Sequence, residues 1–212
     1  TYTDSPVLKQ PGHISFHHTT CCGLDFNGDG MQVAVGDFAG NILIWPAYHP
    51  HPSRGNEKGE ESASESFRGP LLKRQIPVMI RSVCWRKEKL SHEKELILIG
   101  GLGGEVWMWS PFTDQEPSQA LNLDGVVTCI GWENGPNSRR VAMGTSSGIL
   151  YVYEKVDEGH TITFKEHFTF KAHHPVDGPQ DLKFGSLGKF AEVGFTIFPL
   201  FSCFKQTILA YF

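Results

Sequence analysis

A pattern of apolar runs interrupted by glycine occurs three times along the chain, at 33–45, 97–109 and 141–153. In each segment an apolar run ends in a glycine, a second glycine follows four residues later, and an aromatic residue stands nine after the first glycine. Runs rich in Val and Ile are typical of β-strands, and glycine tolerates the positive φ of tight hairpin turns. Each segment is therefore predicted to form a β-hairpin. Because a single hairpin is marginally stable in water, the repeated units are expected to stack on one another.

Two further candidate strands flank each hairpin. The strand before it ends in an aromatic residue, which is Phe26, Trp85 or Trp132 in the three repeats. Apolar segments that predict a fourth strand follow the hairpins, at 71–76, 120–123 and 161–170. The sequence thus predicts an all-β chain built from four-stranded antiparallel units.

The spacing of the repeats points to a known architecture. The aromatic residues that end the first strands are 59 and then 47 residues apart. The second interval is close to the roughly 40–45 residues of a WD-repeat blade, and the excess in the first lies in the stretch at 46–70. Over residues 16–194 the chain resembles part of a WD-repeat β-propeller, which implies a partial propeller of four-stranded blades. The Asp of that family's Asp–His–Trp hydrogen-bond network is replaced at its three positions, by Ala39, Gly103 and Ser147.

The resemblance divides the chain into blades, the fourth of which starts in register and then loses it. Residues 184–194 align without a gap on 26–36, but the positions expected for the next glycine and the aromatic hold Phe198 and Cys203. A truncated product or piece of a longer propeller is the favoured interpretation, and a divergent fourth blade is the alternative. The predicted units are an N-terminal segment at 1–15 with a candidate blade-closing strand, blade 1 at 16–76 with a flexible loop at 46–70, blade 2 at 77–123, blade 3 at 124–170, the start of blade 4 at 171–194, and an apolar tail out of repeat register at 195–212.

Composition and charge narrow the classes of function. The 212 residues are 40% hydrophobic and carry a formal net charge of −4, so no global basic field points to nucleic acid. The five cysteines show no Cys-x-x-Cys spacing, which favours reduced thiols in an intracellular protein of the cytoplasm or nucleus. The apolar stretches of the tail are too short for a spanning helix, so no membrane span is expected.

Candidate chemistry is sparse. The glycine-rich stretch 100–104 resembles a phosphate-binding loop only in composition, since it joins two strands and no Lys-Ser/Thr follows it. No Gly-x-Ser-x-Gly elbow and no arguable acid–base pair occurs, so we predict neither an enzyme nor a cofactor. The pairs His17-His18 and Cys21-Cys22 could suggest metal ligands, but adjacent strand residues point to opposite faces and no metal site is predicted.

The function that the resemblance implies is a protein-interaction scaffold, which binds protein or peptide partners through its loops. The candidate contact residues are Phe38 and Leu102, apolar residues inside turns, and Arg139 and Arg140. Packing of Phe38 and Leu102 on an adjacent blade is the alternative. Open blade edges are a self-association hazard.

Three other hypotheses stay open at this point. A nucleic-acid or chromatin reader would use Arg139, Arg140, Lys73 and Arg74, although the acidic net charge argues against it. A non-functional truncation of a longer propeller would have no partner of its own. Ser62, three residues before Glu65, fits the preference of acidophilic kinases, and the alternative for this segment is a plain solvated loop.

Overall fold

The computed structural model of the chain describes residues 19–47, 69–87, 95–113, 115–133, 139–159, 161–171, 181–184, 190–194 and 207–211. All regular structure in these ranges is β-strand, which confirms the all-β prediction. No helix in the same ranges is long and apolar enough to cross a bilayer. Outside these ranges lie the segment at 1–15, Ser62 and most of the loop predicted at 46–70.

The first three sheets each contain four antiparallel strands in sequence order. The first sheet consists of β1 (Cys21–Phe26), β2 (Gln32–Asp37), β3 (Asn41–Pro46) and β4 (Leu72–Gln75). The second consists of β5 (Ile80–Trp85), β6 (Ile97–Gly101), β7 (Glu105–Trp109) and β8 (Ser118–Asn122). The third consists of β9 (Val127–Trp132), β10 (Arg140–Thr145), β11 (Ile149–Glu158) and β12 (Thr161–Lys171).

The three predicted hairpins are confirmed as β2–β3, β6–β7 and β10–β11. In each, the second glycine of the pattern has a positive φ, 81° at Gly40, 94° at Gly104 and 75° at Gly148. This left-handed conformation carries little cost for glycine and a steric cost for other residues, which explains why the pattern keeps glycine at these positions.

A fourth sheet of three strands follows, with β14 between the other two. Its strands are β13 (Asp181–Phe184), β14 (Phe190–Gly194) and β15 (Thr207–Tyr211). β15 lies within the apolar tail predicted at 195–212 and pairs with β14 from Gly194↔Thr207 to Phe190↔Tyr211. The tail therefore contributes a strand to this sheet, although the short glycine turn of the other hairpins is not repeated before it.

The core lies between the sheets. One cluster joins the first two sheets and includes Ile42, Ile44, Trp85 and Ile99, and another joins the second and third sheets through Leu98, Val106, Trp132 and Met143. Ile97, Leu98 and Ile99 of β6 are all fully buried, because the second sheet has a neighbour on each face: Ile97 and Ile99 lie in the first cluster and Leu98 in the second. Strands with both faces apolar require this sandwiched position, which is that of a blade in a β-propeller.

The first strands of successive sheets lie side by side, and a polar contact joins the first two. The backbone N–H of Trp85 in β5 donates to Oδ2 of Asp25 in β1 over 2.9 Å, and Lys87 Nζ lies 3.0 Å from Asp25 Oδ1. The Asp25 carboxylate thus connects the start of one blade to the start of the next.

On the face of the first sheet that points away from the second, apolar side chains of β1 are exposed. Leu24 and Phe26 are 63% and 45% exposed, whereas Trp85 and Trp132, at the same repeat position as Phe26, are 1% and 7% exposed. Exposed apolar strand faces favour association. The predicted self-association of open blade edges therefore has a defined surface, and it stays a prediction.

Trp109, the aromatic residue that ends the second hairpin, is buried without the polar network of strong WD repeats. Trp109 is 1% exposed, and its indole Nε1 has no hydrogen-bond partner in the part of the chain that the structure describes. This agrees with the missing Asp of the sequence repeat. Trp109 therefore stabilises the blade by apolar burial and by the Arg74 guanidinium, which lies 6.0 Å from its ring centroid.

Candidate functional site

The link between the first two blades, residues 76–79, is held by the glycine turns on both sides of it. The Ile76 N–H donates to the carbonyl of Gly40 over 2.9 Å, and the Leu102 N–H donates to the carbonyl of Met79 over 3.0 Å. Both hairpin turns therefore stand at the same end of the blades, with the link between them.

A groove of about 470 Å³ opens between these three segments. The first turn supplies Phe38, the link supplies Val78 and Met79, and the second turn supplies Leu102 and Glu105. Met79 is 54% exposed, so its side chain is available at the surface. The two apolar turn residues that the sequence singled out, Phe38 and Leu102, thus line the same groove, and their role in binding stays a prediction.

The next link along the chain, residues 123–126, uses the same backbone hydrogen bonds. The Leu123 N–H donates to the carbonyl of Gly104 over 2.8 Å, and the Ser146 N–H donates to the carbonyl of Val126 over 2.9 Å. Here, however, Asp124 and Gly125 replace Pro77 and Val78, and Ser146 replaces Leu102. The apolar lining of the first groove is therefore a property of its side chains and does not follow from the repeated backbone.

The first turn is fixed by Asp37, a residue that the sequence interpretation missed. Asp37 is fully buried, and its Oδ1 accepts hydrogen bonds from the backbone N–H groups of Ala39 and Asn41, each over 2.9 Å. The Asn41 side-chain amide donates to Oδ2 over 3.0 Å. An Asp that bonds the amides two and four residues later across a glycine turn is a local sequence signal that could have identified it. These bonds hold Phe38 at the groove.

The glycine-rich second turn is occupied by a carboxylate of its own strand. The Gly103 N–H donates to Glu105 Oε2 over 3.0 Å. A Cβ atom at Gly101 would lie 2.7 Å from Glu105 Oε2, and one at Gly103 would lie 2.5 Å from Oε1. The Glu105 side chain therefore folds back over this turn into space that side chains at Gly101 and Gly103 would share, and a bound phosphate would have to displace its carboxylate.

Arg139 and Arg140 lie at the opposite end of the third blade, where β9 ends and β10 begins. Both of their backbone N–H groups donate to Glu133 Oε2, over 3.3 Å and 3.2 Å, and the Arg140 guanidinium donates to Glu133 Oε1 through Nε and Nη2. Burial alone would raise the pKa of Glu133, but the hydrogen bonds and charge of Arg140 hold that pKa below its usual value. Within the described residues, Glu133 thus ties both ends of this loop together, and Arg140 takes part in it.

We expect Glu133→Gln to remove a pH-dependent part of the stability. A carboxylate whose pKa is lower in the folded than in the unfolded chain stabilises the fold above the unfolded pKa, and this stabilisation is lost as pH falls through the folded pKa. Urea unfolding should therefore show a loss of about 1 kcal/mol at neutral pH that shrinks below about pH 4.5. The exposed Glu158→Gln is the control, and an equal pH profile for the two variants would contradict this role for Glu133.

The basic residues considered for nucleic acid belong to different sheets. Lys73 and Arg74 are on β4, and the Arg74 Nε lies 3.1 Å from Oε2 of Glu116, in the connection between β7 and β8. Arg139 and Arg140 lie where β10 of the third sheet begins, and Arg140 pairs with Glu133. Two of these four cations are therefore already paired with carboxylates.

The described cysteines are free thiols, with Cys21 and Cys22 adjacent on β1 and Cys84 and Cys129 buried. Burial raises the pKa of Cys84 and also that of Cys21, so these thiols stay protonated near neutral pH. Among the residues that the structure describes, no group of three His, Cys, Asp or Glu side chains could hold a metal ion. His17 and His18 are outside the described ranges.

Comparison with known proteins shows the fold. No family model matches the sequence, and no curated protein matches it. The chain is similar to a chain in the crystal structure of the mitotic checkpoint complex, with 17% identity and a TM-score of 0.56 over 84% of this chain and 46% of that one. It is also similar to the computationally designed Ika4 protein, with 14% identity, a TM-score of 0.56 and 92% of each chain covered. The chain spans about half the length of the checkpoint-complex chain. At these identities the likeness shows a β-propeller fold.

Proposed function

We propose that the chain is an intracellular, WD-repeat-like scaffold that binds a segment of a protein partner in the groove between its first two blades. The observation that carries this proposal is the meeting of Phe38 and Leu102, from two different hairpins, with Met79 in one open groove. Apolar side chains in an exposed concave site, where burial does not require them, are typical of protein-binding surfaces.

Two further observations support this function over the others. Between the second and third blades, Ser146 stands at the position of Leu102 and Asp124 at that of Pro77. The apolar lining is therefore specific to the groove between the first two blades. A protein of similar fold was crystallised within a complex, which is consistent with a partner-binding role. A nucleic-acid reader is less well supported, because the net charge is −4 and Arg140 is paired with Glu133. Neither the apolar groove lining nor the similarity to a chain of a crystallised complex indicates an enzyme.

The test is a pair of methionine variants. Met79 and Met31 are each 54% exposed, but Met79 lines the groove and Met31 lies in the β1–β2 link at the opposite end of the first blade. Peptides are selected on the wild-type chain from a random phage-displayed library, synthesised with a fluorescent label and titrated by anisotropy. We expect Met79→Ala to weaken binding about tenfold, since it removes a large apolar contact, and Met31→Ala to leave binding unchanged.

Two outcomes would overturn the proposal. One is a library that yields no peptide of measurable affinity, and the other is a set of peptides that bind Met79→Ala as well as they bind the wild type. Circular dichroism of both variants checks that each keeps its β-structure, so that a loss of binding reports the groove.

A further inference from the structure

The groove contains a single charged side chain at its second turn. Of the residues that line it, Glu105 alone carries a charge, and the others are apolar, neutral or glycine. In the described part of the chain, Glu105 has no ion pair, and its carboxylate accepts one hydrogen bond, from the Gly103 N–H to Oε2. Oε1 therefore remains an available acceptor.

The position of this carboxylate is set before any partner arrives. The Gly103 N–H holds Oε2, and the absence of side chains at Gly101 and Gly103 leaves the space that the carboxylate fills. A charge held in place loses less conformational entropy when it forms an ion pair than a freely rotating side chain does.

We infer that the segment bound in this groove presents a lysine or arginine beside an apolar anchor residue. The inference rests on the proposed function and names its partner by chemistry. The anchor contacts Phe38, Met79 and Leu102, and the cation pairs with Glu105 at the same groove. An acidic or phosphorylated segment is disfavoured, because it would meet the Glu105 charge and find the Gly103 amide already occupied.

The experiment repeats the phage selection on the wild-type chain, on Glu105→Gln and on Glu158→Gln. The first substitution removes the charge but keeps an oxygen for the Gly103 N–H. The second removes an exposed charge at the far end of β11, where no groove residue lies. Each selected pool is sequenced and scored for Lys or Arg within two positions of an aromatic or aliphatic residue.

We expect this pairing to be enriched about threefold over the library on the wild type and on Glu158→Gln, and to return to library frequency on Glu105→Gln. A fluorescent peptide from the wild-type pool should bind Glu105→Gln about five- to tenfold more weakly. Its affinity for the wild type should fall as salt rises from about 50 to 300 mM, and its affinity for Glu105→Gln should respond less.

The outcomes separate the inference from the function on which it rests. Apolar peptides that depend on Met79 but show no preference for a cation, or a preference for acidic residues, overturn the inference and leave the proposed groove intact. A pool whose cation preference survives in Glu105→Gln also overturns it. Failure to select any peptide, or selection of peptides insensitive to Met79→Ala, overturns both.

Discussion

Replacing Gly104 by alanine is expected to lower the free energy of unfolding by about 3–5 kcal/mol. Two effects add at this position. The residue has a φ of +94°, which costs an L-residue about 1–2 kcal/mol, and a Cβ there would lie 2.1 Å from the carbonyl oxygen of Leu123. Because that oxygen belongs to the backbone that leaves the second blade, relief requires the link to the third blade to move. Urea unfolding followed by circular dichroism measures the change.

Gly159 provides the matched control for this substitution. Its φ is also positive, at +64°, but a Cβ would meet nothing within 4 Å. Gly159→Ala therefore isolates the conformational cost, and we expect it to lose about 1 kcal/mol. The difference between the two variants measures the steric contact of the link with the turn. Equal losses would mean that this contact does not restrain the fold.

The second large effect is expected at the core between the first two blades. Trp85 is 1% exposed, packs with residues of both sheets, and donates from its indole Nε1 to a Glu95 carboxylate oxygen over 3.1 Å. Replacing it by alanine removes a large buried aromatic ring and leaves a cavity. Trp85→Ala should therefore cost about 3–5 kcal/mol, measured again by urea unfolding.

Phe26 stands at the same repeat position in the first blade and serves as the comparison. It is 45% exposed, because no described strand covers that face of its sheet. Phe26→Ala should cost no more than about 1 kcal/mol, since less of its surface leaves water on folding. Similar losses for the two variants would show that the open face is covered in solution, and light scattering on the wild type would then report whether a second copy covers it.

The hairpins were predictable because each is specified by neighbours in sequence. An apolar run, a glycine that must adopt a positive φ and a closing aromatic lie within thirteen residues, as in 33–45. The stacking of the units followed from strands with two apolar faces, such as β3. These signals are local or periodic in the sequence, and the structure contains the hairpins that they predict.

The groove could be predicted only in part. Phe38 and Leu102 were conspicuous as apolar residues inside turns, but their meeting depends on how one blade stacks on the next. Met79 gave no signal, because a short link between strands has no periodicity. Glu105 could not be found in this way, because its role depends on its side chain folding back over Gly103. The sequence of the glycine-rich stretch invites comparison with phosphate-binding loops and gives no sign of this contact.

The β15 strand is the other feature that the repeat pattern did not supply. Its pairing with β14 closes a hairpin whose link is residues 195–206, and neither the short turn nor the closing aromatic of the other hairpins is present at the repeat spacing. Long-range pairing of this kind depends on the sheet that the strand joins, and a local pattern cannot specify it.

The links at the groove end of the blades have a consequence for how this chain can change over evolutionary time. The turns at 38–40, 102–104 and 146–148 are equal in length, as are the links at 76–79 and 123–126, and each link is hydrogen-bonded to a turn at both ends. At the other end, the connections 27–31, 47–71, 86–96 and 133–139 all differ in length. Within the first three sheets, differences in connection length therefore occur at one end of the blades, and an insertion into a link at the groove end would have to break a backbone hydrogen bond to a turn.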